Sequence, residues 1–421
     1  MKKFNSRYSY YHLSRNLALM FFFLFLMSTA SFSQRVRLGA EILLEKHLDS
    51  LKGKRIGIIC NQTSVLPDGT HLVDTLLALG VDVKSLFAPE HGIRGDKPAG
   101  EKILSGKDNR TGLTIHSLYG GSKKPDEKML HDVDLLIFDM QDVGARFYTY
   151  ASTMAYCMIA AAENNKKFIV LDRPNPINGT DIEGPPLDLM LISFLGMTPI
   201  PVRHGLTIGE IAKMMIGEGY LNPSSVDLTV IPMEGWKRSM WYDETGLPWI
   251  SPSPNMKTLQ TATVYPGSCL FEATNISEGR GTSKPFEYIG APKLNNVKIV
   301  KRLNSLKLPG VKFSAVEFTP QGDTATGSNP KFNKKLCRGV YIQITDRKVF
   351  KPVITGLMMI DAIRKLYPKS FILKKGLFSR LIGDELVSDL LEKGKIDQNS
   401  FKIFDNQIDQ YLKIRSKYLL Y

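Results

Sequence analysis

Continuous apolar runs of five or six residues recur through the first half of the sequence, with helical patterns between them. Such runs are typical of strands that are buried on both faces of a parallel sheet. The helical pattern is clearest over Tyr150–Glu163, which carries an alanine-rich face. The predicted strands are Arg55–Cys60, Val81–Phe87, Thr114–Leu118, Val133–Phe138 and Lys167–Leu171. Strands that alternate with helices predict an α/β fold with a doubly wound parallel sheet.

The second half of the sequence has a different pattern. Residues 187–218 have mostly helical spacing, interrupted by a turn at 199–205, after which Thr207 and Glu210 have the spacing of a helix-capping box. The C-terminal region then alternates strands, at 311–318 and 339–345, with amphipathic helices at 353–366 and 383–393. This alternation predicts a smaller C-terminal α/β domain. Because 421 residues exceed the size of one average domain, we expect two domains, 34–262 and 263–421.

Residues 1–33 have the three-part pattern of a secretory signal peptide. Basic residues precede an eleven-residue apolar run, Leu17–Met27, and small residues follow it. The run is short, because about twenty apolar residues are needed to cross a bilayer. No cysteine that could carry a lipid lies at the candidate cleavage sites after Ala30 and Ser33. We therefore expect an exported mature chain, periplasmic or extracellular, with no stable membrane insertion after signal cleavage.

The charge of the chain narrows its possible partners. It contains 55 Lys and Arg residues against 41 Asp and Glu residues, a formal net charge of +14. Four of the basic residues lie in the first 33, where there is no acid, so the mature chain is about +10. Since acidic residues are interspersed with basic ones, no nucleic-acid partner is predicted, whereas an anionic substrate or polymer is compatible with this charge.

The four cysteines are far apart and lack the spacing of a zinc site. Cys60 and Cys157 lie in apolar segments, which favours buried free thiols. A disulfide bond stays open, because an exported chain meets an oxidising environment. The other two cysteines are Cys269 and Cys337.

Polar and ionisable side chains follow four of the five predicted strands. Ligands bind at the carboxyl ends of the strands in open parallel sheets, so convergence of these loops predicts a pocket. Asn61 follows the first strand, Glu90, His91 and Arg94 the second, Asp139, Asp142 and Arg146 the fourth, and Arg173 and Asn175 the fifth. A glycine-punctuated segment later in the chain adds Glu272, Asn275, Glu278 and Arg280. Glycines suit close approach of the backbone to a ligand.

Several common signatures are missing from the sequence. There is no G-x-G-x-x-G after the first strand and no phosphate-binding G-x-x-x-x-G-K-[ST], so a nucleotide is not predicted. Neither the G-x-S-x-G of α/β-hydrolases nor the H-E-x-x-H of zinc proteases occurs. We expect neither a cofactor nor a metal ion.

Four segments of the chain resemble one protein family: residues 87–95, 139–150, 171–176 and 277–282. They are similar to the NamZ-type exo-β-N-acetylmuramidases, long known as a domain of unknown function, and the resemblance runs from about residue 40 to the C-terminus. It implies a Rossmann-like N-terminal domain, a smaller C-terminal α/β domain and an active-site cleft between them. It also implies removal of N-acetylmuramic acid (MurNAc) from the non-reducing end of peptidoglycan fragments such as MurNAc-GlcNAc.

The chemistry of glycoside hydrolysis fits this resemblance. It usually requires a carboxylic acid that protonates the leaving oxygen, and often a second carboxylate. Glu90 is the candidate acid, oriented or tuned by His91. The second carboxylate stays open among four acids, of which we place Glu278 and Asp139 first and Asp142 and Glu272 second.

The remaining candidates are expected to bind the sugar. Arginine forks match carboxylates, so Arg146, Arg173 and Arg280 are candidates for binding the lactyl carboxylate of MurNAc. Tyr148 could stack on the sugar ring, and Asn175 could bond its N-acetyl group. Asn61, Arg94 and Asn275 complete the expected binding set.

Two alternatives use the same residues. The first is a non-catalytic protein that binds peptidoglycan sugars in this pocket. The second is a metal-dependent hydrolase that uses Glu90, His91, Asp139 and Asp142, although their spacing is not diagnostic of any metal.

Overall fold

A seven-stranded sheet forms the centre of the first half of the chain. The computed structural model describes residues 35–89, 92–94, 106–223, 225–322 and 329–421, so residues 1–33, Glu90 and His91 lie outside the described residues. The strands are β1 Ile56–Cys60, β2 Val83–Ala88, β3 Gly106–Lys107, β4 Thr114–Ser117, β5 Leu135–Asp139, β6 Lys167–Leu171, β7 Glu183–Pro186, β8 Pro201–Arg203, β9 Asp227–Ile231, β10 Tyr288–Ala291, β11 Val311–Phe318 and β12 Cys337–Ile344. The large sheet has the order β3-β4-β2-β1-β5-β6-β9, and all its neighbours are parallel except β3 and β4.

Helices cover both faces of this sheet. The α-helices are α1 Gly39–Lys46, α2 Leu72–Ala78, α3 Glu127–Leu130, α4 Tyr150–Glu163, α5 Ile208–Gly217, α6 Leu259–Ser268, α7 Asn296–Ser305, α8 Pro352–Leu366, α9 Lys375–Ile382, α10 Glu385–Glu392 and α11 Asp405–Ser416. Successive side chains of a strand point to opposite faces. Leu135 and Ile137 therefore join one apolar core with α1 and α2, whereas Leu136 and Phe138 join a second core with α4 and α5. The prediction of a doubly wound parallel sheet is confirmed.

The helical prediction is wrong over residues 187–198, whereas the capping box of Thr207 and Glu210 and the helix after it are confirmed. Only α5 is an α-helix within residues 187–218, and it begins after Thr207, whose side chain accepts a hydrogen bond from the Glu210 backbone amide. The upstream part contains β8, which pairs with β7, and a 3₁₀ turn at Leu189–Leu191. The Leu187 and Asp188 amides donate to the carbonyls of Ile200 and Gly383, so the backbone there bonds to other segments instead of forming a helix.

The smaller C-terminal domain contains a three-stranded antiparallel sheet in the order β10-β12-β11. The helix predicted over residues 383–393 begins later than expected. Gly383 adopts a left-handed conformation (φ 89°) that ends α9, and Asp384 then caps α10. Contacts join Val36–Tyr421 into one compact unit, so the division at residue 262 stays a prediction.

Helices α6 and α8 pack with their backbones in direct contact. A Cβ atom on Gly267 would lie 1.8 Å from the carbonyl oxygen of Pro352, and one on Gly356 would lie 2.3 Å from the carbonyl oxygen of Gly267. No side chain fits at either position. The two glycines therefore fix α6, the helix leading into the C-terminal region, against α8.

The last helix and the residues after it return to the first half of the chain. Tyr411 donates a hydrogen bond to the carbonyl of His204, and the Leu420 amide donates one to Glu210. The Tyr421 hydroxyl donates to the buried carboxylate of Asp172, 2.7 Å away, at the carboxyl end of β6. These contacts attach the C-terminal segment to the same sheet edge that carries the predicted site.

All four cysteines are buried free thiols. Among the helices that the structure describes, none combines the length and apolar character needed to cross a membrane.

Candidate active site

Protein side chains fill the switch point of the large sheet, where strand order reverses between β1 and β5. The Asn61 side chain accepts hydrogen bonds from the amide and hydroxyl of Thr63, and the Ser64 hydroxyl donates to the Asp139 carbonyl. The Thr63 hydroxyl accepts from the Gln141 amide. The crevice where open α/β sheets bind ligands is thus built largely from mutually bonded polar groups.

Asp139 and Arg173 form a buried, two-pronged ion pair at this edge. The Arg173 Nε and Nη2 atoms lie 2.5 and 2.9 Å from the two carboxylate oxygens, and neither side chain is more than 4% exposed. Burial alone lowers the pKa of Arg173, but the Asp139 carboxylate outweighs burial and raises it. Each side chain uses its charge to pair with the other. This pairing favours a structural role for both residues over the catalytic role expected for Asp139 and the lactyl-binding role expected for Arg173.

Arg94 is likewise engaged by carboxylates of the protein. It donates to Asp108 at 2.8 and 2.9 Å and to Asp74 at 3.0 and 3.2 Å. The hydrogen bonds to Asp108, together with those to Asp74, raise the pKa of Arg94. This double ion pair fixes α2 to the start of the β3–β4 region and leaves Arg94 poorly suited to bind a substrate carboxylate.

Two of the predicted amide side chains hold the backbone in place. Asn175 donates to the Leu206 carbonyl at 2.9 Å and accepts from the Ile177 amide. Asn275 likewise donates to the Ser370 carbonyl and accepts from the Ile372 amide. These contacts use both ends of each amide, so the structure favours positioning roles for both residues.

Arg146 is buried without a carboxylate partner among the described residues. Its guanidinium donates to the carbonyls of Pro185, Ile200 and Leu381 at 2.8–3.0 Å. Burial lowers the pKa of this guanidinium to about 9. Since Leu381 belongs to α9, Arg146 links the loop after β5 to the C-terminal region instead of facing a ligand.

Several buried polar atoms at this edge have no hydrogen-bond partner within the described residues. They are Asn61 Nδ2, Gln141 Oε1, Asp142 Oδ1 and the Tyr148 hydroxyl. The other oxygen of Asp142 accepts from the Gly144 amide and lies 3.5 Å from His204 Nε2. Burial first, and Tyr150 next, raises the pKa of Tyr148 well above its ordinary value. Unsatisfied buried polar atoms are rare, and an ordered water or a ligand is their usual partner.

A cavity of about 230 Å³ lies between the loop after β5 and the C-terminal region. One wall is aromatic: Tyr148 packs edge-to-face on Tyr150 and Tyr265, with ring centroids 4.8 and 5.9 Å apart. Glu272 and Arg280 provide its charged lining. Ser253, Met256, Cys269 and Phe286 also line it.

Arg280 is held between two carboxylates. Its Nη2 lies 2.6 Å from Glu272, and its Nε lies 3.5 Å from Glu278. Burial lowers the pKa of Arg280, but Glu272 and then Glu278 outweigh burial and raise it. Glu278 is 3% exposed and also pairs with Lys331 at 3.0 Å, behind the cavity wall. Glu272 is therefore the predicted carboxylate that reaches the cavity in the described part of the chain.

Sequence reasoning missed part of this wall. Tyr265 is packed between Tyr148 and Phe286, and its only local signal was the Tyr-Pro-Gly sequence that follows a helical pattern. Ser253 comes from the Trp-rich stretch at residues 236–254, but Trp236 and Trp241 themselves are buried in the core. Within the described residues, no three His, Cys, Asp or Glu side chains are grouped as metal ligands.

Comparisons with known proteins agree with the motifs. The family model for the N-terminal part of exo-beta-N-acetylmuramidase NamZ matches residues 56–260, and that for its C-terminal part matches residues 263–421. The chain is 47% identical over 390 residues to the peptidoglycan beta-N-acetylmuramidase NamZ of Bacillus subtilis (strain 168), covering 92% of both proteins.

Two solved structures share the fold. Both are crystal structures of DUF1343 family proteins from Bacteroides fragilis NCTC 9343, with TM-scores of 0.82 and 0.75 and sequence identities of 35% and 34%. In each case the alignment covers 92% of this chain and 99% of the other. The fold, including its smaller C-terminal domain, is thus shared along nearly the whole described chain.

Proposed function

Because the chain belongs to the NamZ family of exo-β-N-acetylmuramidases, we propose that it is an exo-acting glycosidase that releases MurNAc from the non-reducing end of peptidoglycan fragments. The observation that carries the proposal is the cavity with an aromatic wall and a Glu272–Arg280 pair. Its volume of about 230 Å³ is below the roughly 300–1,000 Å³ of pockets for larger ligands. A cavity of this size suits one terminal sugar, as exo cleavage requires.

The two charged residues of the cavity suit different parts of the sugar. Arg280 Nη1 makes no hydrogen bond within the described residues, although Nε and Nη2 are engaged. Its free donors are proposed to bind the lactyl carboxylate that distinguishes MurNAc from GlcNAc. Glu272, as an ion-paired carboxylate, suits accepting a hydrogen bond from the sugar, which leaves protonation of the leaving oxygen to Glu90.

The test is release of sugar from a chromogenic β-N-acetylmuramide and its N-acetylglucosaminide counterpart. We expect release from the muramide, abolished by Glu90→Gln and strongly reduced by Glu272→Gln. Glu317→Gln is the matched control, because Glu317 also pairs with an arginine, Arg338, at 2.8 Å but on the exposed surface. A folded protein that binds MurNAc-GlcNAc without cleaving either chromogen would refute the enzymatic proposal.

The lactyl contact has its own test. Arg280→Gln removes one charge-assisted hydrogen-bonding partner, which is worth about 1.5–3 kcal/mol or roughly 10–150-fold in affinity. We expect KM for the muramide to rise by that factor, whereas Arg338→Gln leaves KM unchanged. If KM stays constant in the Arg280 variant, another group binds the carboxylate.

We also propose that the mature chain acts outside the cytoplasm on MurNAc-GlcNAc or longer fragments. The signal-peptide pattern of residues 1–33 and a substrate class located in the cell wall support this placement. N-terminal sequencing of protein recovered from the extracytoplasmic fraction should give a start near Ser31 or Gln34. Recovery of the uncut chain from the cytoplasm would refute the placement.

A further inference from the structure

The charge of the chain is concentrated in its C-terminal half. Residues 263–421 contain 27 basic and 14 acidic residues, a net charge of +13. Residues 34–262 contain 24 basic and 27 acidic residues, a net charge of −3. The basic character of the mature chain therefore belongs to the C-terminal part alone, which points to a local electrostatic role and not a general effect on solubility.

The basic residues are densest around helix α7. Residues 288–316 contain six lysines and arginines and no acid: Lys293, Lys298, Lys301, Arg302, Lys307 and Lys312. All six are exposed, and none forms an ion pair within the described residues. We call these six residues the basic face. Its distinction is the absence of any acidic residue over a stretch of 29 residues.

The helix keeps this arrangement at an energetic cost. Its apolar residues Ile299 and Leu303 are buried in the domain core, so its exposed side is defined by packing. Lys298, Lys301 and Arg302 lie at i, i+3 and i+4 on that side, where like charges repel and destabilise a helix by about 0.2–0.5 kcal/mol per pair. A purely structural surface helix would place acids among them.

We propose that the basic face binds the anionic glycan polymer of the cell wall and holds it while the cavity releases its terminal sugar. This inference rests on the proposed function, because it assigns the face to the same substrate. Muramyl units supply the negative charge through their lactyl groups or attached peptides. Charge complementarity of this kind concentrates a substrate and speeds its encounter with the protein.

The composition of the face argues for a soluble polyanion over a membrane. Helices that lie in a bilayer surface insert an apolar side between the lipids. Here that side is already buried within the domain, and Val297 is the large apolar residue of α7 that is exposed, at 68%. Binding to lipid is therefore an outcome that the test must exclude.

The experiment compares two triple charge reversals in the full mature chain. K298E/K301E/R302E alters the basic face, and K52E/K54E/K128E makes the same charge change at exposed, unpaired lysines of the first half. Each is assayed on the small chromogenic muramide and on glycan strands of MurNAc-GlcNAc repeats, in about 0.01 M and 1 M salt. Screening lengths at these concentrations are about 30 Å and 3 Å.

We expect the α7 variant to lose about tenfold in kcat/KM on the glycan at low salt, with the loss vanishing at high salt. Its activity on the chromogen should equal that of the unmodified chain. The neutral variant K298Q/K301Q/R302Q should show an intermediate loss, which separates loss of charge from misfolding. Binding to uncharged chitin oligosaccharides should not change.

Three results would overturn the inference: full glycan activity in the α7 variant, an equal loss in the control triple, or tighter binding to phosphatidylglycerol vesicles than to the glycan. If the chromogen is not cleaved at all, the proposed function fails separately. Co-sedimentation of the unmodified and variant chains with glycan strands then still tests the basic face.

Discussion

The buried Asp139–Arg173 pair gives the most direct test of what the strand edge does. In Asp139→Asn the guanidinium of Arg173, 4% exposed, keeps its charge but loses its counter-charge. Breaking a buried ion pair from one side costs about 3–5 kcal/mol, because the remaining charge is left uncompensated. Whole proteins are stable by about 5–15 kcal/mol, so the variant should lose a large part of its stability.

The assay is urea unfolding followed by tryptophan fluorescence, with Asp134→Asn as the matched control. Asp134 directly precedes β5, and Asp139 is its last residue. Asp134 also forms a two-pronged ion pair with an arginine, Arg55, but this pair lies near the surface. Its loss should matter far less, since exposed ion pairs are screened by solvent.

A double variant separates the cost of the uncompensated arginine charge from the loss of the ion pair itself. Asp139→Asn with Arg173→Met removes the uncompensated guanidinium charge and should recover part of the lost stability. The reasoning is refuted if Asp139→Asn unfolds at the same urea concentration as Asp134→Asn while sugar release is abolished. Asp139 would then be a catalytic carboxylate, as its position at the end of a strand first indicated.

Three other predictions follow from single residues. Burial first, and Glu210 next, raises the pKa of Asp172 to about 7, whereas the unfolded carboxyl titrates near 3.9. The native state thus holds the proton more tightly, so the contribution of Asp172 to stability falls as pH rises from about 4 to 7. The stability of the unmodified chain relative to Asp172→Asn should be roughly 2–3 kcal/mol lower at pH 8 than at pH 5. A difference in urea unfolding that does not change with pH would contradict this prediction. Tyr148→Phe removes a buried hydroxyl that makes no well-formed hydrogen bond, although Tyr150 and Ser253 lie beside it, so thermal stability should change little while KM increases severalfold; a marked fall in stability would show that one of these neighbours holds the hydroxyl. Arg146→Lys cannot reproduce a planar fork on three carbonyls and should lose about 1–3 kcal/mol in urea unfolding, with unchanged stability as the contrary result.

The sequence predicts the central strands β1, β2, β5 and β6 because they are largely buried on both faces and so appear as nearly uninterrupted apolar runs. The helix at Tyr150–Glu163 was predicted to its end residues, since its alanine-rich pattern lacks prolines. The helical prediction fails at residues 187–198 because the backbone there bonds to other segments, as the Leu187 and Asp188 amides do to Ile200 and Gly383. Side-chain periodicity alone does not report that effect.

The candidate site was harder to predict than the fold. Polar residues follow the ends of β1, β5 and β6 as the sequence indicates, but their partners depend on approaches between distant segments. Arg173 meets Asp139 across 34 residues, and Arg146 meets Leu381 across 235. A charged side chain that is already paired and one that is free look alike in sequence. Whether Glu90 and His91 perform the chemistry stays a prediction, because they lie outside the described residues.

The return of the C-terminal segment to the large sheet has a consequence for biosynthesis. Asp172 and Glu210 receive hydrogen bonds from residues 249 and 210 positions later in the chain. Ribosomes add about 5–20 residues per second, so these partners emerge roughly 10–50 s after the groups that they satisfy. Until then Asp172 has only its earlier partners, among them Thr207 and Gly209, and Glu210 has Arg238. Completion of the sheet edge therefore waits for residues made long after the strands that it borders.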